Sequence, residues 1–289
     1  MVFDNIELID DHLEIKIAEI QHKIHFYKLN SPNKSKSNKT LIILHGALAC
    51  AEEYIPVAYK LIDFYDAIYL IDMPGFGITT ALPNQDFKKT VCSIYLALQK
   101  ITEIHSKIDI VGHSFGAYVL QETLTLYPNI VTNINKVVLI AIAGIESKLH
   151  IFWYDIWRTY FWAFFFKYQI VTRFARFLAL YLPLCIWTKL IKYNPKLQLW
   201  QNSSEGEKLL ANSIHCSIAT CAWIKPCCLQ VADLSKKLEL HLLCGTKDRL
   251  FIADIARNFA KKYDINITCV LNATHGHIDV KELKQLLNT

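Results

Sequence analysis

Residues 108–118 read Ile108-Asp-Ile-Val-Gly-His-Ser-Phe-Gly-Ala-Tyr118, and this stretch decides the fold. It opens with a short apolar run, Ile108 to Val111, that predicts a buried strand. It then turns through Gly112-His113-Ser114-Phe115-Gly116 into an apolar stretch, Ala117 to Tyr127, that predicts a helix. A Gly-x-Ser-x-Gly turn between a strand and a helix holds its serine in a strained backbone, with the hydroxyl at the positive end of the helix. Side chains at Gly112 or Gly116 would collide with the neighbouring strand or helix. Ser114 is therefore read as a nucleophile.

Working outward, strands and helices alternate on both sides of this turn. Leu13–Ile17 and Ile24–Leu29 predict a hairpin. Apolar runs at Thr40–His45, Ala67–Ile71 and Lys136–Ala141 predict strands covered on both faces. Helices are expected over Glu52–Phe64 and Asp86–His105. After about residue 224 the alternation resumes, with strands at Leu238–Cys244 and Asn266–Leu271 and helices at Ile252–Tyr263 and Asp279–Leu287. Such alternation predicts a mostly parallel central sheet flanked by helices. Between about Gly144 and Ile224 no buried strand is legible. Residues 151–200 carry 17 of the 35 Phe, Trp and Tyr residues. The chain is thus divided into a core of 1–143 with 225–289 and an aromatic-rich helical insertion, 144–224, after the sixth strand.

Loops at the carboxyl ends of these strands hold the reactive side chains. Gly245-Thr-Lys-Asp248 follows one strand and His275-Gly-His277 follows the last. In parallel sheets active sites collect at those ends. Serine, acid and histidine come in that chain order, together with His45-Gly46, Asp72-x-Pro-Gly-Phe-Gly77 and Gly276-His277. On these five motifs, spanning residues 40 to 280, the chain resembles the α/β-hydrolase superfamily, of the capped kind that includes lipases, carboxylesterases and C–C bond hydrolases.

The resemblance implies Ser114 as nucleophile, His277 as general base and then acid, and Asp248 as the group orienting the imidazole. It implies an oxyanion hole from the backbone N–H groups of Ala47 and Phe115. His275 competes with His277; the family usually places its histidine directly after a glycine, which selects His277 and leaves His275 at the rim. His45 and His113 are read as packing beside the motif turns, and Asp72 as holding its own loop. A serine at the turn argues against the dehalogenases and epoxide hydrolases of the same superfamily.

The implied activity is hydrolysis of an ester or thioester with an apolar acyl or alcohol part, through an acyl-enzyme and with no cofactor. A C–C bond hydrolase, an acyltransferase and a hydrolase-fold receptor for an apolar small molecule stand as alternatives. Trp153, Trp157 and Phe164 keep helical spacing in the insertion and are expected to line the substrate pocket. Basic residues there, among them Arg173 and Arg176, meet the single acid Asp155. That composition suits either a solvated face or a peripheral contact with anionic membrane.

Composition excludes other classes. The 289 residues are 53% hydrophobic and 20% charged, which fits a globular chain with a large core. A net charge of +5 without a Lys/Arg block argues against nucleic-acid binding. Nine cysteines, an odd number without metal-type spacing, predict reduced thiols, no metal site and a cytoplasmic setting. The oligomeric state is left open by the sequence.

Overall fold

The computed structural model describes residues 6–32, 39–47, 49–83, 86–145, 227–248, 251–276 and 278–288. All of them belong to one compact unit, Met1–His150 with Trp223–Thr289. An eight-stranded sheet runs through it, in the order β1-β2-β4-β3-β5-β6-β7-β8. Its strands are β1 (Glu7–Ile17), β2 (Ile20–Asn30), β3 (Lys39–Leu44), β4 (Ala67–Ile71), β5 (Lys107–His113), β6 (Ile134–Ile140), β7 (Glu239–Gly245) and β8 (Asn266–Val270). The first pair and the β2–β4 pair are antiparallel, and every other neighbouring pair is parallel.

Burial follows directly from this order. Central strands β3, β4, β5 and β6 are buried almost throughout, because helices cover both faces of a parallel sheet. Edge strand β1 keeps its charges, Asp10, Asp11, Glu14 and Lys16, on a strand mostly open to solvent. Charges on an edge discourage pairing with a second chain. Both hairpin strands are longer than their apolar alternation predicts. Asp10 and Asp11 conceal the first half of β1, which is held by its register with β2 from Glu7↔Asn30 to Ile17↔Ile20.

The helices are α1 (Ile55–Leu61), α2 (Phe87–Ile104), α3 (Phe115–Leu126), α4 (Cys228–Leu234), α5 (Ala253–Tyr263) and α6 (Val280–Asn288). The stretch expected as one helix over Glu52–Phe64 is α1 bracketed by two short 3-10 turns. In α2, Asp86 caps the start by accepting from the Lys88 N–H. The short helix α4 was not legible in the sequence. The last helix is pinned to the sheet by the buried Lys136, whose Nζ donates to the Leu286 carbonyl at 2.8 Å and pairs with Glu239.

These elements bear out the mostly parallel hydrolase-type sheet. From residue 146 on, the insertion expected over 144–224 lies outside the described residues. Among the described residues no helix is long and apolar enough to cross a membrane.

Candidate active site

Strand β5 delivers Ser114 at the carboxyl edge of the sheet. The residue takes φ 52° and ψ −112°, a left-handed conformation that costs a non-glycine residue about 1–3 kcal/mol. It is held there by its own backbone: its N–H donates to the Ile140 carbonyl at 2.8 Å, and its carbonyl accepts from the Tyr118 N–H at 3.1 Å. Helix α3 begins at the next residue, Phe115, so the hydroxyl stands at a helix N-terminus.

The flanking glycine lets α3 approach strand β3. A Cβ on Gly116 would lie 2.4 Å from the His45 carbonyl oxygen and 2.5 Å from that of Leu44. Both are backbone atoms that cannot rotate away. Gly116→Ala is therefore expected to destabilise the fold by roughly 1–3 kcal/mol or more, as overpacking in a dense core does. Urea denaturation checks this, and an unchanged midpoint would contradict the close approach.

Strand β7 leads to Asp248 and strand β8 to His275. Asp248 is buried, with Oδ1 accepting from the Phe251 N–H at 3.0 Å and Oδ2 lying 2.9 Å from His275 Nδ1. On the other side of the ring, His275 Nε2 lies 2.9 Å from Ser114 Oγ. A carboxylate only accepts, so Nδ1 carries the proton and Nε2 is left to accept from the serine hydroxyl. The Phe251 ring packs against the imidazole at 4.8 Å between centroids.

This arrangement bears on the choice of histidine. The position between Ser114 and Asp248, expected for His277, is occupied by His275, and His277 lies outside the described residues. The reason is a contact remote in sequence. The His275 carbonyl accepts from Nε2 of His113, at 2.9 Å, which seats this residue of the loop over the serine turn.

His113 is itself part of a longer chain. Its Nδ1 accepts from the Tyr54 hydroxyl at 2.7 Å, and the Tyr54 oxygen accepts from the Gly46 N–H at 3.3 Å. Backbone at Gly46 and backbone at His275 are thus joined through two buried side chains. Next to them His45 donates from Nδ1 to the Gly46 carbonyl at 2.7 Å and accepts on Nε2 from the Met73 N–H at 3.1 Å. Because the peptide is planar and trans, holding the Gly46 carbonyl also fixes the direction of the Ala47 N–H.

A second polar knot holds the loop after β4. Asp72 accepts from the backbone N–H groups of Ala51, at 2.7 Å, and Ile78, at 3.0 Å. Its Oδ2 also meets His25 Nδ1 at 2.7 Å, and His25 Nε2 reaches Asp10 at 2.9 Å. Gly77 closes this loop at φ 53°, where a Cβ would lie 2.1 Å from the Asp72 carboxylate. The expectation that Asp72 serves its own loop agrees with these contacts. His25 and Tyr54 carried no sequence signal, because their partners are 47 and 59 residues away.

Burial and pairing shift these groups in opposite directions. Burial pushes His113 down to about 4, opposed by its bond to the His275 carbonyl. Burial also works against a charged His25, but Asp72 and Asp10 outweigh it and leave the imidazole raised. Burial disfavours the Asp72 carboxylate too, yet the His25 bond and the two backbone N–H groups leave it lowered.

The sign of each effect on stability follows from which state binds the proton. As pH falls, the unfolded chain protonates His113 near 6.5 while the folded chain resists until about 4. Stability from this group is therefore complete above about 6.5 and is lost between 6.5 and 4, on the order of 3 kcal/mol. His25 contributes the reverse: its share is present below 6.5 and fades as pH rises through its raised folded value. Asp72 adds a further loss at lower pH, below its unfolded value of 3.8. Denaturation midpoints measured across pH should fall on the acid side, and His113→Gln should flatten that limb between 6.5 and 4. An acid limb unchanged in the variant would contradict the assignment.

Of the other expected site residues, Ala47 follows strand β3 and Phe115 opens α3. Gly46 lies against the serine turn, a Cβ there falling 3.3 Å from the Ser114 Cβ. Trp153, Trp157 and Phe164, with Arg173 and Arg176, lie outside the described residues. Among the described residues no group of three or more His, Cys, Asp or Glu side chains is arranged to hold a metal ion.

The family model for the alpha/beta hydrolase fold matches residues 39–282. The chain belongs to this family. Its solved structural relatives include an esterase (EaEST) from Exiguobacterium antarcticum, with 14% identity, a TM-score of 0.65 and 97% of each chain covered. A bromoperoxidase from Bacillus anthracis matches with 12% identity and a TM-score of 0.64, over 96% of this chain and 98% of the other. The thioesterase domain from the curacin biosynthetic pathway matches with 15% identity and a TM-score of 0.59, over 97% of this chain and 100% of the other. At these identities the likeness is one of fold. No curated protein sequence matches the chain.

Proposed function

We propose that the chain is a serine hydrolase that cleaves carboxylic esters or thioesters with an apolar part, through an acyl-enzyme. The observation that carries this reading is the relay from Ser114 Oγ to His275 Nε2 and from His275 Nδ1 to Asp248, with both links 2.9 Å long. In this mechanism Ser114 attacks the acyl carbon while His275 takes its proton as general base. His275 then returns the proton to the leaving alcohol or thiol. Asp248 keeps the ring in the tautomer that leaves Nε2 free to accept, and stabilises the imidazolium that forms. Water repeats the sequence on the acyl-enzyme, again deprotonated by His275.

The tetrahedral oxyanion is assigned to the N–H groups of Ala47 and Phe115, each donor contributing about 3 kcal/mol in such sites. Support comes from the His45 bond that orients the Gly46–Ala47 peptide and from the position of Phe115 at the start of α3. An apolar substrate is supported by the aromatic-rich composition of residues 151–200.

Tyr54 and His113 position rather than react. Tyr54→Phe leaves the Gly46 N–H and the His113 Nδ1 without the hydroxyl that joins them. It is expected to lower kcat about tenfold with little change in KM, since a misplaced donor or base acts on the transition state. A rise in KM at constant kcat would assign Tyr54 to substrate binding instead.

The direct test of function is turnover of p-nitrophenyl esters of increasing acyl length, together with labelling by a fluorophosphonate. Steady turnover with label on Ser114 supports the reading. At most a few turnovers with every ester would favour a hydrolase-fold receptor, and label on another residue would overturn the nucleophile.

A further inference from the structure

Two cysteines lie on the strands that lead to Asp248 and His275 and take no part in the proposed mechanism. Cys244 on β7 and Cys269 on β8 are register partners in the parallel ladder. Their sulfurs are 3.1 Å apart, so the two side chains point at each other across the strands. Neighbouring strands bring paired Cα atoms within the range that a disulfide spans, and the sulfurs need approach by only about 1 Å to bond. Cys244 is buried, whereas Cys269 is only partly covered.

We propose that Cys244 and Cys269 form a reversible intramolecular disulfide, made by a hydroperoxide, that lowers the activity of the adjoining site. The activity part rests on the hydrolase reading above; the disulfide itself does not. Cys269, the more accessible sulfur, attacks hydrogen peroxide first and becomes a sulfenic acid, with one oxygen transferred and one water released. The Cys244 sulfur then displaces that oxygen as a second water, forming the S–S bond. In sum two thiols are oxidised by two electrons, and one peroxide is reduced to two waters. Burial, together with the neighbouring Cys269, pushes the Cys244 thiol up to about 12, so Cys244 is the slower of the two to meet peroxide directly.

Closure of the pair reaches the site because the strand ends have no slack. Asp248 follows Cys244 by four residues, and His275 follows Cys269 by six. A Cβ on Gly245 would lie 2.3 Å from the Ala273 carbonyl oxygen, so the two loops are already in contact. They are stitched by Thr246 N–H to Val270, Lys247 N–H to Ala273 and Asn272 N–H to the Thr246 hydroxyl. Asp248 and His275 therefore ride together on the two strand ends. A shift there falls on the His275–Ser114 distance, because Ser114 is carried by β5 and bonded to β6. Displacements near 1 Å at a reacting group lower rates by about 10²-fold.

The test is peroxide treatment of the folded protein, alkylation of remaining thiols and peptide mapping, with p-nitrophenyl butyrate turnover followed in parallel. The expected result is a linked peptide pair joining Cys244 to Cys269, at least a tenfold loss of kcat, and recovery of both states with dithiothreitol. Cys244→Ala should leave Cys269 as a sulfenic acid trapped by dimedone. The double variant Cys244→Ala/Cys269→Ala should keep its activity through the same treatment. Absence of the linked peptide in the unsubstituted protein overturns the site, whatever the variants do. A linked peptide with undiminished turnover, or equal inactivation of the double variant, overturns the coupling. A protein that forms the link but never hydrolyses any ester retains the disulfide and refutes the hydrolase reading alone.

Discussion

Ser114→Ala is expected to lower kcat on every ester by a factor on the order of 10⁶, with the fold intact. The magnitude follows from the triad acting as a unit: without the hydroxyl, His275 and Asp248 have nothing to activate. What survives is the contribution of the oxyanion donors and of binding, so a small residual rate above that of water is expected. The fold should persist because alanine at φ 52° is strained no more than serine, and the backbone bonds from Ser114 to Ile140 and Tyr118 do not involve the side chain. Among the described residues only the hydrogen bond between Ser114 Oγ and His275 is lost, worth about 1 kcal/mol. Rates on p-nitrophenyl esters and a thermal melt together check both halves. Retention of more than about a hundredth of the rate would show that another group is the nucleophile.

His275→Ala is expected to lose nearly as much, whereas His277→Ala should leave most of the activity. The distinction rests on occupancy of one position. With Nδ1 against Asp248 and Nε2 against Ser114, the His275 ring fills the place of the base, and its carbonyl is held by His113. A substituted His275 leaves the Asp248 carboxylate, itself buried, without the ring it orients, and leaves the serine without a base. Measuring both variants on one ester decides the matter. A reversed order would return the role of base to His277 and make the observed relay a resting arrangement.

The Tyr54–His113 chain gives the serine turn a purpose beyond holding Ser114. His113 precedes Ser114 and bonds the His275 backbone, while Tyr54 reaches the loop after β3. One pair of side chains thus spaces the His275 backbone from the Gly46 backbone. Such bracing matters because a site 1 Å out of place loses much of its rate.

Much of this was legible along the chain. The central strands announce themselves, because residues buried on both faces of a parallel sheet must be apolar in succession, as at Leu41–Leu44 and Ile68–Ile71, whereas only the second half of the exposed edge strand β1 is marked, by alternation. The serine turn was legible for a similar reason: Gly112 and Gly116 are required by contacts made within the strand–turn–helix unit and its immediate neighbour. Ser114 and Asp248 could be placed because each sits at a strand end, a position that hydrophobic pattern marks. Loops carry no such periodicity. His275 and His277 are two residues apart in the sequence, and a local motif selects the second. Only the tertiary structure brings His113, 162 residues away, against the His275 carbonyl and so turns that ring toward Ser114. The same holds for Tyr54, for His25 between its two carboxylates, and for the sulfurs of Cys244 and Cys269. Each of these pairings is set by strand register and by packing across the sheet, which a linear pattern does not encode because side chains far apart in sequence meet only once the chain has closed.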